Sequence, residues 1–433
     1  MNGNSPAVHG SATSAWHLFN FSVMTETSTR PVIPLRSLLL LVGAAAIVSG
    51  LTGTMAARWA WSSRGGAAAD KTVAVSSSDT IKGPWGELRK VRMITEKPLE
   101  FINVETAAAE RNLWNFGPTD AGAIRKALIA AGVAPAVTDP LLATAKAVDG
   151  QLLAEPEDDL ILGLSGSDRT AVHRLLRNAG ITHLSVFPFC FPAGRLPRLL
   201  ADHVRPATAS LLLPMVYRVG KADCFSDLAP VLRALPDASE RRALIRAMTQ
   251  QETLLLEAVV RPDTEIEAMI NYWGSPGRER NLRSLLESVS EVPGGSVVDA
   301  VYLLPPFVRE RLYTYPEGPL PGGRDYDCHW TSLNFFRSEP DMSFLNPPAV
   351  AEALAKDYET IPAPARPGDI VLYTVNGKQV VHSCVYIADD VVFTKNGANP
   401  MQPWVFMSMA ELETVYPAEE PYTVLFYRKR PGI

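Results

Sequence analysis

Ile370-Val371-Leu372-Tyr373-Thr374-Val375-Asn376-Gly377-Lys378-Gln379-Val380-Val381-His382-Ser383-Cys384-Val385-Tyr386-Ile387 decides the fold of the C-terminal part of the chain. Two runs rich in β-branched and aromatic residues flank Asn376-Gly377, whose tolerance of positive φ makes the dipeptide a strong hairpin signal. Asp389-Asp390 marks a second tight turn into a strand at 391–395, and a further short strand is expected at 423–427. Upstream lies Asp327-Cys328-His329-Trp330-Thr331-Ser332-Leu333-Asn334-Phe335-Phe336. Asp327 is a good N-cap, and Trp330, Leu333 and Phe336 recur at helical spacing, so they are expected to pack inward. A Pro-rich connection at 347–367 joins this helix to the strands. A helix followed by an antiparallel meander is an α+β arrangement.

The helix start places Cys328 where a thiolate is favoured. A free thiol has a pKa of about 8.5, and a helix N-terminus with a nearby imidazole lowers it. Counting back from the Asp389-Asp390 turn pairs Ala388 with Val391 and sets His382 opposite Gly397, beside Asn396; a one-residue shift makes Asn396 the direct partner. Thiol catalysis needs a base near the sulfur and a polar group that orients the ring. Cys328, His382 and Asn396 supply these in order. Against them stand plainer readings: a buried structural thiol, an ordinary strand histidine, and Asn396-Gly397 as turn chemistry. Cys384 is a rival nucleophile on the same strand face as His382, but it has no helix end beside it. His329 is a weaker rival base, because adjacent helical residues point about 100° apart.

These residues carry a resemblance. Asp327-Cys328 at a helix start, Pro367-Gly368-Asp369-Ile370-Val371-Leu372-Tyr373, and His382-Ser383-Cys384-Val385-Tyr386-Ile387 resemble the three signatures of NlpC-type cell-wall peptidases, papain-like cysteine hydrolases related to the CHAP amidases. The resemblance covers roughly the last quarter of the chain. It implies Cys328 as nucleophile, His382 as base and Asn396 as orienting residue, with Tyr315 and the Cys328 backbone N–H at the oxyanion. Peptidoglycan stem peptides, or another amide, are the implied substrate. The chain departs from the family in having His329-Trp330 where small residues are usual, and Cys384 where Gly is common. Bulk there points to a different substrate, to acyl transfer, or to an inactive scaffold that binds a partner.

Length and composition set the frame. A chain of 433 residues, 47% hydrophobic with a net charge of −5, is expected to form more than one soluble core and not to bind nucleic acid. Its seven histidines and four cysteines form no metal-ligand spacing, so no metal or cofactor is expected. Residues 1–36 read as a leader, with Met24 as an alternative start. Residues 37–57 are uncharged and would span about 31 Å as a helix, enough to cross a bilayer. A membrane anchor or a cleaved signal peptide is expected there, placing the body in the cell envelope outside the cytoplasm. Residues 58–86 are rich in Ser, Gly and Ala and suit a tether. Residues 87–308 read as an all-helical domain, with helices at 120–131, 168–178, 227–235, 239–248, 250–260, 263–273 and 280–288. No site stands out in it, and its role is open, with binding of a protein partner as one reading. Residues 309–433 form the α+β hydrolase-like domain. Cys190 with Cys224 is the one disulfide pairing to entertain, and two buried thiols is an equal reading.

Overall fold

Six antiparallel strands form the platform that carries the candidate nucleophile. Strands are numbered along the chain. The platform's order is β11 (Tyr358–Ile361), β16 (Tyr422–Lys429), β12 (Ile370–Val375), β13 (Gln379–Ala388), β14 (Val391–Lys395) and β15 (Trp404–Ser408). The computed structural model describes residues 80–431 apart from 180–187, 276, 317–324, 364, 376, 378 and 419. The leader, the expected membrane segment at 37–57 and most of the tether lie outside the described residues, among which no helix is long and apolar enough to cross a membrane.

The expected hairpins form. β12 pairs with β13 across Gly377, whose φ is 63°, and Ala388 pairs with Val391 across Asp389, which adopts φ 56°. Gly368 precedes β12 at φ 93°, where a Cβ would meet the Phe336 ring, so the Gly-Asp turn needs its glycine. Asp369 accepts the Arg366 amide at 2.6 Å and pairs with Arg428 on β16. The connection at 347–367 is more structured than its prolines suggest. Pro347 opens the helix Pro347–Asp357, where a missing N–H costs nothing, and β11 follows.

A four-stranded sheet runs β1 (Thr80–Gly83), β2 (Gly86–Thr95), β9 (Gln251–Val260), β10 (Ser296–Asp299), so the region expected as tether is already a strand at Thr80. Two three-stranded sheets complete the set. One runs β3 (Trp114–Asn115), β5 (Gln151–Ala154), β4 (Lys146–Val148), the other β6 (Phe189–Pro192), β8 (Ala222–Phe225), β7 (Tyr217–Val219). With fifteen α-helices among the described residues, the protein is α+β throughout. The expectation of an all-helical 87–308 is therefore corrected. Its helices exist, including Ala121–Ala130, Gly166–Asn178, Leu228–Ala234, Ala238–Thr249, Ile266–Trp273 and Glu279–Ser290. The segment at 250–260 is instead the central strand β9. Its Leu, Ala and Glu residues favour helix, but pairing with β2 on one side and β10 on the other overrides propensity.

β9 also joins the four-stranded sheet to the platform. Thr253 donates its hydroxyl to the Phe406 carbonyl at 2.9 Å and accepts the Phe406 amide at 3.1 Å. One hydrophobic cluster takes Leu88, Leu254, Leu256 and Phe307 together with Trp330, Phe393 and Phe406, so no break in the core marks residue 308.

Candidate active site

Cys328 is the first residue of the helix Cys328–Leu333, which packs on β13 and β14. The Asp327 side chain accepts the Trp330 amide at 2.7 Å, and its carbonyl accepts the Thr331 amide and hydroxyl at 3.1 and 2.8 Å. Trp330 is fully buried against Phe307 and Tyr326, and Leu333 also packs inward. The bulk beside the nucleophile is thus spent in the core. Phe336 does not follow: the helix ends at Leu333, and Phe335 takes the buried place while Phe336 is half exposed.

The thiol is 6% exposed and lies among two imidazoles. Burial alone would push the Cys328 thiol up. The charges and hydrogen bonding of His329 and His382 overcome this and hold it well below the usual thiol value. His329 responds in the opposite sense. The negative sulfur raises its imidazole to about 9 against the effect of burial, so the ring is charged at neutral pH. Its Nδ1 bonds to the Ser383 hydroxyl at 2.9 Å, and Ser383 in turn meets Ser332 at 3.1 Å. This bond fixes the orientation of the ring.

His382 is fully buried on β13. Its Nε2 meets the Thr394 hydroxyl at 2.9 Å, and Tyr416 stacks on the ring at 4.2 Å. Nδ1 makes no hydrogen bond within the protein. Asn396 takes the second of the two expected registers, the one shifted by a residue. A bulge between Tyr386 and Ala388 shifts the ladder, and continuing the register of Val385 with Phe393 brings Asn396 level with His382. The imidazole nevertheless bonds to Thr394, whose hydroxyl reaches Asn396 Oδ1 at 3.4 Å. Thr394 is the direct orienting group and Asn396 supports it.

Tyr315 does not join the site. Its hydroxyl donates to the Thr249 carbonyl at 3.0 Å, and burial raises its pKa. The tyrosine beside His382 is Tyr416, whose pKa is raised by burial and by the charge of Cys328. Cys384 is fully buried, and burial together with the Cys328 charge pushes its thiol well up, which makes it a poor nucleophile. The two thiols are therefore shifted in opposite directions by their surroundings.

A buried lysine completes the surroundings. Lys395 on β14 donates to the carbonyls of Gly397 and Asn399, each at 2.9 Å. Burial lowers its pKa to about 7, opposed by Asp325, Asp327 and Cys328. Asp327 is raised to about 6, by burial first and by the adjacent sulfur. Lys395 ties down the loop that follows Asn396, a role no spacing in the sequence announces.

Orientation of His382 by Thr394 has a measurable consequence. Thr394→Val removes a hydrogen bond worth about 1 kcal/mol, so turnover falls by roughly tenfold or less. Asn396→Ala has a smaller effect. Comparing kcat of the two variants checks the order, and a larger loss in Asn396→Ala contradicts it.

No protein-family profile, curated protein or solved structure matches the chain.

Proposed function

We propose that the protein is a cysteine hydrolase that cleaves an acyl bond through a thioester on Cys328. The observation that carries this reading is one buried thiol whose pKa is lowered by two imidazoles, one of them oriented by a hydroxyl and a stacked tyrosine. The thiolate attacks the substrate carbonyl carbon, and the developing oxyanion is met by the Cys328 backbone N–H and the charged His329 ring. Protonated His382 gives its proton to the leaving nitrogen or oxygen as the C–N or C–O bond breaks. Water, deprotonated by His382, then attacks the thioester and releases the acid. His329 is the poorer acid, because a group with a pKa of about 9 gives up its proton reluctantly at neutral pH.

Trp330 packs into the core instead of beside the sulfur, which supports turnover over an inactive scaffold. Acyl transfer is the second reading, favoured by a thiol that is only 6% exposed and so shielded from water. Anchorage through residues 37–57 and a cell-wall substrate belong to the same proposal.

The test is capture of the intermediate. The protein is mixed with a p-nitrophenyl acyl ester, quenched in acid within seconds and analysed by intact mass and peptide mapping. An acyl adduct on Cys328 that neutral hydroxylamine removes is the expected result. Adduct on Cys384, or none together with no nitrophenol release above background, overturns the reading. Adding a primary alcohol or amine as acceptor separates transfer from hydrolysis.

A further inference from the structure

Cys190 and Cys224 are thiols that the chemistry at Cys328 does not use. They stand directly opposite each other on β6 and β8, with their sulfurs 3.2 Å apart. Tyr217 on β7 pairs with Cys224 from the other side, so the three residues form one row across the sheet. Side chains alternate between faces along a strand. The strand neighbours Phe189, Phe191 and Phe225 accordingly join a large hydrophobic cluster. On the opposite face, Tyr217, Val219, Ala222 and Cys224 form a separate small cluster with Cys190 packed against it. The strands have only three or four residues each, so a covalent tie has more to add on this face than in a large core.

The backbone already meets the requirement for such a tie. Directly paired residues of antiparallel strands have Cα atoms about 4.5–5.5 Å apart, inside the roughly 4.4–6.8 Å that a disulfide spans. Bringing the sulfurs to about 2.0 Å asks for a closer approach of roughly 1 Å, which side-chain rotation supplies without moving either strand. Access favours one sulfur. Cys224 is fully buried, but Cys190 is only partly so and lines a cavity of about 400 Å³. The Cys190 thiol is pushed well up, first by its hydrogen bond with Cys224 and then by burial. A pair that is not stabilised as thiolate leaves its disulfide hard to reduce.

We infer that Cys190 and Cys224 form a structural disulfide when the protein meets an oxidising small-molecule disulfide, tying β6 to β8. The Cys190 thiolate attacks one sulfur of the oxidant, which gives a mixed disulfide and releases one small thiol. The Cys224 thiolate then attacks the Cys190 sulfur, the protein S–S bond forms and the second small thiol leaves. Two protein thiols are oxidised, one oxidant disulfide is reduced, and the two cysteine protons end on the released thiols. The tied segment carries the helices Arg195–His203 and Pro206–Leu212 and the strand β7. β8 runs on towards Asp227, the partner of buried Arg169. Disulfides persist in oxidising compartments, where anchorage at 37–57 with the body outside the cytoplasm would put this pair.

The test takes the full-length protein, treats it with excess oxidised glutathione or with dithiothreitol, blocks free thiols in acid and maps peptides without reduction. One peptide pair joined through Cys190 and Cys224, lighter by the two hydrogens lost, is expected, with neither cysteine joined to Cys328 or Cys384. Closing a loop whose ends are 34 residues apart raises Tm above that of the dithiothreitol-treated protein by about 5 °C. Cys190→Ala, at a partly exposed position, loses that difference between the two treatments. Glutathione held on Cys190 alone, a link from either cysteine to Cys328 or Cys384, or no link at all overturns the disulfide. A Cys190–Cys224 link with no rise in Tm overturns the tie.

Discussion

Cys328→Ala lowers acyl-ester turnover by about 10⁴-fold or more, the scale on which losing a nucleophile acts when the remaining groups bind but do not react. The loss falls on kcat, because the backbone N–H and His329 proposed to meet the oxyanion remain. The far-UV circular dichroism spectrum stays unchanged, since the helix Cys328–Leu333 is held by Asp327 and by the packing of Trp330 and not by the thiol. Cys384→Ala is the matched control. Its sulfur is buried and pushed towards the neutral form, so kcat stays within a few-fold of the unaltered protein. Residual activity within tenfold in Cys328→Ala, or a deeper loss in Cys384→Ala, contradicts the assignment.

The largest stability effect is expected far from the site. Arg169 is fully buried, paired through Nη1 with Asp227 and donating from Nη2 to the Ile161 carbonyl at 2.5 Å. His173 lies 3.4 Å from the same carboxylate and stacks on Tyr217. Asp227→Ala strands a guanidinium in the core and costs about 3–5 kcal/mol, read as a lower denaturant midpoint. Asp227→Leu combined with Arg169→Met recovers most of that loss, because it removes the buried charge along with its partner. A single variant within about 1 kcal/mol of the unaltered protein contradicts the buried pair. Burial alone would raise the Asp227 carboxyl, but His173 and Arg169 more than offset this and hold it below its usual value. The stability it brings is therefore present above about pH 3.9 and is lost as pH falls through the lower folded value.

Much of the platform was legible because its signals are local. Asn376-Gly377 and Asp389-Asp390 declare turns, and alternating β-branched residues declare the strands between them. The strand β9 was not legible. Leu254, Leu255 and Leu256 suit a helix as well as a doubly buried strand, and only β2 and β10 decide between them. Within the site, Cys328 and His382 came from a capping residue and a register count. Thr394 was missed because it lies two residues before Asn396, the residue level with His382, and reaches the ring along β14 instead of straight across the strand pair. His329 was set aside by a rule of helix geometry that holds for long helices. At the open end of a six-residue helix, the second side chain can turn back to the sulfur, and Ser383 on β13 holds it there. Tyr416 reaches His382 only through the fold of the chain after β15, so tertiary structure alone reveals it.

The central claim is that two imidazoles hold Cys328 as a thiolate. Iodoacetamide alkylation across pH 5 to 10, with each cysteine followed by mass spectrometry, tests it without knowledge of the substrate. In the unaltered protein, Cys328 is expected to react with an inflection well below about 8.5, while Cys384 stays unreactive. Both His329→Ala and His382→Ala move that inflection upward, since each removes one source of the downward shift. The imidazolium of His329 persists until pH approaches about 9, so the unaltered profile is flat across neutral pH. A Cys328 that titrates like a free thiol, or whose inflection neither histidine variant moves, contradicts the account.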